Sequence, residues 1–350
     1  MSDTFERTVA KPGAPQWGPT GVGGLGGVLM RALRVIGRQR EATVFVIAVA
    51  LFLYFLIDKG SEFTSKSNQV TLWSDSVAPY AIIALGEVFL LICGEIDLSV
   101  GFVVGFAPYL MHYLINFYGF PGLLGIVFAL LLGLFVGWVN GFFTVTVGVP
   151  SFITTLGTGF VLMGLTGWTA HDEPAAIPAQ VMGIGKWIQN YSWAPLVWAV
   201  MLAVLFHIVL TRTRWGLHTV SAGGNLLGAR EAGIHVGRIK YGNFMIIGLL
   251  GSLVGLQQMY YTSNISPTTG SYQWMFYAVT AAVIGGTAML GGVGTIVGAF
   301  IGAVVLGILL DGFPLIGVNA DPLNVVFGGA ILIAMVANVQ LTRLRERGQR

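Results

Sequence analysis

Three carboxylates interrupt apolar stretches of this chain. Glu87 lies in Ala84-Leu-Gly-Glu-Val-Phe89, and Glu95 and Asp97 follow in Gly94-Glu-Ile-Asp-Leu-Ser99. An ionised carboxylate at the centre of a bilayer costs about 2.5–3.5 kcal/mol on insertion scales. In lipid each must therefore face a wet cavity, accept hydrogen bonds or be protonated. Two readings are open for Asp97 and Ser99: they line a polar pathway, or they cap a helix starting near Val100 by accepting its free amides. Glu87 and Glu95 are open to the same choice between lining a pathway and a structural role. Asn140, Thr154, Thr155, Thr158 and Gln257 also stand in apolar runs. They could hydrogen-bond the hydroxyls of a solute, or a neighbouring helix.

Other chemistry finds no support. His112 and His207 are isolated, without a second ligand at metal-binding spacing, and read as structural. The single cysteine, Cys93, excludes a disulfide within the chain and a thiolate metal cage built from it alone; it reads as a buried, inert thiol. No H-E-x-x-H or G-x-S-x-G occurs, and the Gly185-Lys186 pair is followed by Trp187, so no Walker A loop exists. The formal G-x-G-x-x-G at Gly21–Gly26 follows a Pro-rich tail, where a dinucleotide fingerprint needs a strand. The expectation is a chain without metal, cofactor or covalent catalysis.

The elements that must position these residues follow from composition. Of 350 residues, 55% are hydrophobic and 9% charged, and mean hydropathy is +0.78. Soluble domains carry about 25% charged residues, so this chain must turn apolar surface towards lipid. The net charge of +3 is no nucleic-acid footprint, because the basic residues cluster at the two termini and in one central loop.

Residues 1–28 form a polar, Gly/Pro-rich tail, followed by a collar of Arg31, Arg34, Arg38 and Arg40. Apolar runs then occur at about 42–57, 77–93, 100–118, 122–143, 150–168, 195–211, 241–259, 274–290, 295–312 and 322–340. The first lacks a small-x-small cleavage site and reads as an uncleaved span. Several approach the lower limit of roughly 17–25 residues needed to cross a bilayer, which marks them as candidates for broken or re-entrant segments. The chain thus reads as an all-α, polytopic protein of about ten transmembrane helices. Its expected parts are a tail and collar over 1–41, a membrane domain over 42–340 and a tail over 341–350. The basic collar, the basic loop 212–240 and the basic C-terminal tail all belong in the cytoplasm. Loops 58–76 and 169–194, richer in acids than bases, belong outside. Ten spans satisfy all these placements with both termini cytoplasmic. Blocks 77–168 and 241–340 would then run in opposite senses, as inverted repeats do. Glycines four apart (133/137/141, 251/255 and 294/298/302) predict faces where helix backbones approach closely.

Four segments resemble one family. Gly94-Glu-Ile-Asp-Leu-Ser-Val-Gly101 resembles the G-G-I-D-L-S-V-G signature of ribose, xylose, autoinducer-2 and related sugar ABC permeases. Val149-Pro-Ser-Phe-Ile-Thr-Thr-Leu-Gly157 resembles their V-P-x-F-I-x-T-L-G segment. The stretch Gly223-Gly-Asn-Leu-Leu-Gly-Ala-Arg-Glu-Ala-Gly-Ile-His-Val236 resembles their cytoplasmic G-G-N-x-x-A-A-R-x-x-G-I-x-V loop. Ile284-Gly-Gly-Thr-Ala-Met-Leu-Gly-Gly-Val-Gly294 resembles their I-G-G-T-x-x-x-G-G-x-G turn. Glu95 departs from the signature's second glycine, and Glu87 stands where methionine is common.

The resemblance implies an importer of a monosaccharide or polyol in the bacterial inner membrane. It implies a cytoplasmic ABC ATPase that binds ATP and Mg, a periplasmic sugar-binding protein and a second permease copy, identical or similar. It also implies that Gly223, Gly224, Asn225, Ala229, Arg230, Glu231 and Gly233 dock on the ATPase. The position of this amphipathic segment in the longest internal basic loop agrees independently. The principal rival is an ion-coupled secondary carrier using Glu87, Glu95 or Asp97. A membrane enzyme acting on a lipid-linked sugar and a receptor that moves no solute are the others.

Overall fold

The computed structural model describes residues 40–171 and 173–318, with Val325, Gly328, Gly329, Leu332 and Val336 as isolated positions beyond. Among these residues every named element is helical, and the only β-pairing is a single bridge between Ala175 and Ile265. Besides two short helices, Ala179–Met182 and Lys186–Asn190, the helices are α1 (Arg40–Phe63), α2 (Lys66–Ile92), α3 (Val100–Asn116), α4 (Gly122–Val147), α5 (Ser151–Ala170) and α6 (Ala194–Arg212). They continue as α7 (Arg214–Gly224), α8 (Leu226–Glu231), α9 (Val236–Thr262), α10 (Tyr272–Ile284) and α11 (Ile296–Leu315). Seven of them, α1, α2, α4, α5, α6, α9 and α11, are long and apolar enough to cross a membrane.

Local chemistry sets the boundaries. Pro121 and Pro150 precede the first residues of α4 and α5, where a missing N–H costs nothing. Thr213, Asn225, Ser271 and Thr295 each accept an amide of the turn they open, and so start α7, α8, α10 and α11. The C-terminal part of α2 is buried all round, as a helix at the centre of a membrane bundle should be.

Nine of the ten expected apolar runs correspond to helices; of the tenth, 322–340, only the isolated helical positions Val325, Gly328, Gly329, Leu332 and Val336 are described, and residues 1–39 and the C-terminal tail lie outside the described residues. Three details differ from the sequence reading. The external loop expected over 58–76 is almost entirely helical: α1 runs to Phe63 and α2 starts at Lys66, leaving a two-residue turn. The run 274–290 is helical only to Ile284, because Gly285, Gly286, Gly291, Gly292 and Gly294 turn the chain back. Loop 212–240 is built of α7 and α8, and α9 already begins at Val236, so Arg238 and Lys240 belong to a spanning helix.

The packing has a two-fold character. Helices α2 and α9 run antiparallel at the centre, with Gly86 against Ile247 and Phe89 against Asn243. Helix α3 packs along α9 through Gly251 against Val100 and Gly255 against Val104. Helix α10 packs along α2 through Tyr80, which meets Trp274 and Tyr277. Helix α4 lies antiparallel to α9, with Gly133 on Gly248 and Gly137 on Phe244; α11 lies antiparallel to α2, with Gly307 on Val77 and, in the turn just before α11, Gly294 on Ile92. Exchanging α2, α3 and α4 for α9, α10 and α11 leaves this scheme unchanged. It is the arrangement expected of inverted repeats.

Both α3 and α10 begin inside the bundle. Val100 touches Gly251, about 22 Å along an α9 that is about 40 Å long at 1.5 Å per residue. Beside it, a β-carbon on Gly270 would lie 2.3 Å from the Gly101 carbonyl oxygen, and one on Gly101 would lie 2.3 Å from that of Ser271. Two helix N-termini thus meet near mid-depth, and only glycine lets their backbones come so close.

Candidate functional site

The segment between α2 and α3 carries the predicted acids, and the structure separates them. Asp97 is buried where α3 begins. Its Oδ1 accepts the amide of Ser99 at 2.7 Å and the Ser99 hydroxyl at 2.6 Å. Asn140 of α4 donates to Asp97 Oδ2 at 3.1 Å and to Ser99 Oγ at 2.9 Å, and the Thr158 hydroxyl of α5 donates to Asn140 Oδ1 at 2.7 Å. Four of the predicted pathway residues therefore form one network joining α3, α4 and α5. The helix-cap alternative holds in modified form: Asp97 takes the amide of the residue at the cap position, while the Ser99 side chain turns to Asp97 and caps nothing.

The other candidates make no side-chain hydrogen bond to this network, although Glu87 lies against the backbone of Asp97. Glu87 is fully buried in α2, within electrostatic range of Asp97, and neither of its carboxyl oxygens has a hydrogen-bond partner of proper geometry among the described residues. Glu95 forms an ion pair with Lys240 of α9, both side chains being largely but not wholly buried. Thr155 bonds within its own helix, to the Ser151 carbonyl at 2.8 Å. Thr154 is buried, and its hydroxyl has no hydrogen-bond partner among the described residues. Gln257 lies on another face of α9, lining a cavity of about 240 Å³ with Tyr260, Ile188 and Trp198. His112 shares a hydrogen bond with the Ala176 carbonyl at 3.0 Å, and His207 lines a wholly apolar groove between α6 and α11.

The predicted coupling segment is a two-helix elbow. Asn225 opens α8 by accepting the Gly228 amide at 2.9 Å. Ala229 is buried against Cys93, Ala222, Val236 and Ile239, while Arg230, Glu231 and Gly233 are exposed, as are Leu226 and Leu227. One face is thus seated on the bundle and the other is open. Gly223 sits against the end of α2, where the Ile92 carbonyl oxygen also accepts the Gly292 amide at 2.8 Å. The first, third and fourth motif segments therefore converge at one end of the molecule. The second reaches the first through Ser151, whose hydroxyl accepts the Ile96 amide at 3.3 Å.

Sequence reasoning missed two groups. Asn243 of α9 donates to the Phe89 carbonyl at 3.1 Å and accepts the Trp215 indole N–H at 2.9 Å, so a fully buried amide ties α2, α7 and α9 together. Its polar type within an apolar run was the available signal. Asp75 was assigned to a loop outside the membrane, and stands instead in α2, where its Oδ1 accepts the Gln258 amide at 2.7 Å. Only the true start of α2 at Lys66 would have revealed it.

Comparison with known proteins agrees with this geometry. A family model described as "Branched-chain amino acid transport system / permease component" matches residues 70–336. The xylose/arabinose import permease protein XylH of Sulfolobus acidocaldarius is 34% identical over 90% of this chain and 88% of its own. The probable ABC transporter permease protein YphD of Escherichia coli is 30% identical over 89% and 92% of the two chains. The fructose import permease protein FrcC of Rhizobium meliloti is 28% identical over 88% of each. No solved structure matches the chain.

Proposed function

The chain belongs to the branched-chain amino acid transport system / permease component family, and from that premise we propose that it is the membrane-spanning subunit of an ABC importer for a monosaccharide or polyol. A separate ATPase supplies the energy, a periplasmic binding protein delivers the solute, and two permease copies form the pathway in the bacterial inner membrane. The permeases for xylose/arabinose and fructose among its relatives support the solute class.

The observation that carries this reading is the seat of Gly223. The elbow of α7 and α8 presents Leu226, Leu227, Arg230 and Glu231 outward, while its backbone lies on the ends of α2 and of the glycine turn before α11. A partner gripping the exposed face would move those ends as one body, which is how small displacements at an interface become helix shifts. The network of buried Asp97, Ser99 and Asn140 with the half-buried Thr158 would hold the mid-depth start of α3 in register with α4 and α5 during that movement.

Reconstitution tests the proposal. The chain co-assembled with its ATPase and binding protein should take up D-xylose, D-fructose or xylitol only when ATP is inside. Arg230→Glu with Gly233→Val should weaken ATPase association and uptake together. Uptake by the chain alone, collapsing with an uncoupler while ATP persists, would establish the ion-coupled carrier instead.

A further inference from the structure

We propose that the cavity between α3, α5 and the segment leading into α10 is a binding site for an uncharged polyhydroxylated solute, held by Thr166, Thr268, Ser271, Tyr272 and Gln273. The proposal rests on the importer reading above and names the side chains that would touch the solute in transit.

The backbone here calls for water. Residues 263–271 leave α9 and return beside α3 without regular helix. A β-carbon on Gly105 would lie 2.6 Å from the Thr269 carbonyl oxygen. The neighbouring Val104 meets Gly255, about 29 Å along α9 at 1.5 Å per residue and well short of its end. Irregular backbone at membrane depth is tolerated only where protein buries it or where it lines a water-filled space. Thr268 is exposed, so protein does not seal this stretch.

Gln273 meets the same constraint. It lies in the first turn of α10, beside the first turn of α3, where a β-carbon on Gly101 would lie 3.2 Å from the Met275 amide nitrogen. That level is near mid-depth. Gln273 is nevertheless exposed, and its side-chain amide makes no hydrogen bond among the described residues. Lipid would leave that amide unsatisfied, so this face is wet.

A cavity of about 370 Å³ opens at this place, with Phe102, Thr166, Thr268, Ser271, Tyr272 and Gln273 in its wall. Small-molecule sites usually measure roughly 300–1,000 Å³. A hydroxyl both donates and accepts, and the wall offers both functions. Thr166 donates to the Leu162 carbonyl at 2.9 Å and keeps lone pairs to accept with. Ser271 accepts the Gln273 backbone amide at 3.3 Å and keeps its proton, and the Gln273 side chain brings a whole amide. Tyr272, 37% exposed, is braced edge-on against Phe102 with ring centroids 4.9 Å apart, which gives the C–H groups of a sugar an apolar wall. None of the described lining residues is charged. A charged solute would lose its hydration here without an opposite charge in return, whereas a sugar or polyol exchanges water for these groups. Carriers built from inverted repeats hold their solutes beside interrupted helices near the bilayer midplane, and this cavity adjoins α3 and α10, which both start inside the bundle.

Thiol labelling tests the site on the full chain in lipid nanodiscs. Gln273→Cys and Phe276→Cys each add one thiol to a chain whose own Cys93 is buried. Phe276 is exposed on the same helix but does not line the cavity. A membrane-impermeant methanethiosulfonate should modify Gln273→Cys at least about tenfold faster than Phe276→Cys or the unsubstituted chain, since only a hydrated thiol forms the reactive thiolate. At least one of D-xylose, D-fructose and xylitol, at concentrations on the order of 0.1 M, should slow that reaction about twofold or more, as occupancy of a site with a millimolar dissociation constant requires. Glycine betaine at the same concentration should not. Thr166→Val should raise the half-protecting concentration by about fivefold, the loss of one neutral hydrogen bond. If Gln273→Cys does not fold, Thr268→Cys takes its place with the same expectation. Slow labelling of the introduced thiol, labelling that none of the three probes slows, equal slowing by betaine, or protection unchanged by Thr166→Val would overturn the site. Uptake by the assembled importer is measured in parallel. Uptake without protection sinks only the site, protection without uptake of any probe sinks only the importer reading, and the loss of both sinks the two together.

Discussion

A β-carbon placed on Gly223 would lie 1.5 Å from the carbonyl oxygen of Ile92, far inside any permitted contact. The elbow and the end of α2 are therefore in backbone contact, without an intervening side chain. Gly223→Ala must push the elbow off its seat. We expect the purified protein to bind its ATPase more weakly and uptake to fall by about tenfold or more, equivalent to about 1.4 kcal/mol of lost coupling. Gly224→Ala, where nothing lies within 4 Å, should leave both close to wild type. Equal effects at the two positions would refute a contact-based role for Gly223.

The ion pair of Glu95 and Lys240 joins the segment before α3 to the first turns of α9. Lys240→Met leaves a largely buried carboxylate alone, and Glu95→Gln leaves a lone ammonium. A double-mutant cycle followed by thermal unfolding in detergent should give a coupling of about 1–3 kcal/mol between contacting charged residues. A coupling near zero would mean that the pair is solvated and contributes nothing.

Asn140 serves three partners at once, Asp97, Ser99 and Thr158, so its removal should cost more than that of a hydroxyl bonded to its own helix. Asn140→Ala strips a donor from Asp97 and an acceptor from Thr158, and an unsatisfied buried polar group costs about 1–3 kcal/mol. Thr155→Val loses only the hydroxyl's contacts with carbonyls of its own helix, Ser151 at 2.8 Å and Phe152 at 3.5 Å, worth about 0.6 kcal/mol on the average of membrane double-mutant cycles. Unfolding in mixed micelles should rank the two in that order.

Glu87 poses a different test, because its carboxyl group is fully buried and has no side-chain hydrogen-bond partner among the described residues, only the backbone amide of Asp97 nearby. Replacing an unsatisfied buried polar group with an apolar one of similar size is neutral or stabilising. Glu87→Met should therefore keep or raise the unfolding temperature. If the carboxyl group serves the pathway, the same substitution abolishes uptake. Normal uptake with raised stability would remove Glu87 from the mechanism.

Much of this architecture was legible in the residues themselves. Low charge and long apolar runs dictate spanning helices whatever their neighbours, because a backbone in lipid must satisfy its own hydrogen bonds. Glycines at four-residue spacing marked the α4–α9 and α3–α9 seams, since a missing side chain is a local property that any partner helix can use. The elbow was visible from its charge and motif. The pairing of helices was not. Nothing in the local pattern around Glu95 points to Lys240, and nothing around Asp75 points to Gln258, because such partners are far apart in sequence and meet only when antiparallel helices set their register. Three of the predicted pathway residues, Glu87, Glu95 and Gln257, were alike in being polar residues among apolar ones. Only tertiary packing distinguishes the unpartnered, the ion-paired and the cavity-lining side chain, since burial and partnership belong to the assembled bundle and not to any one segment.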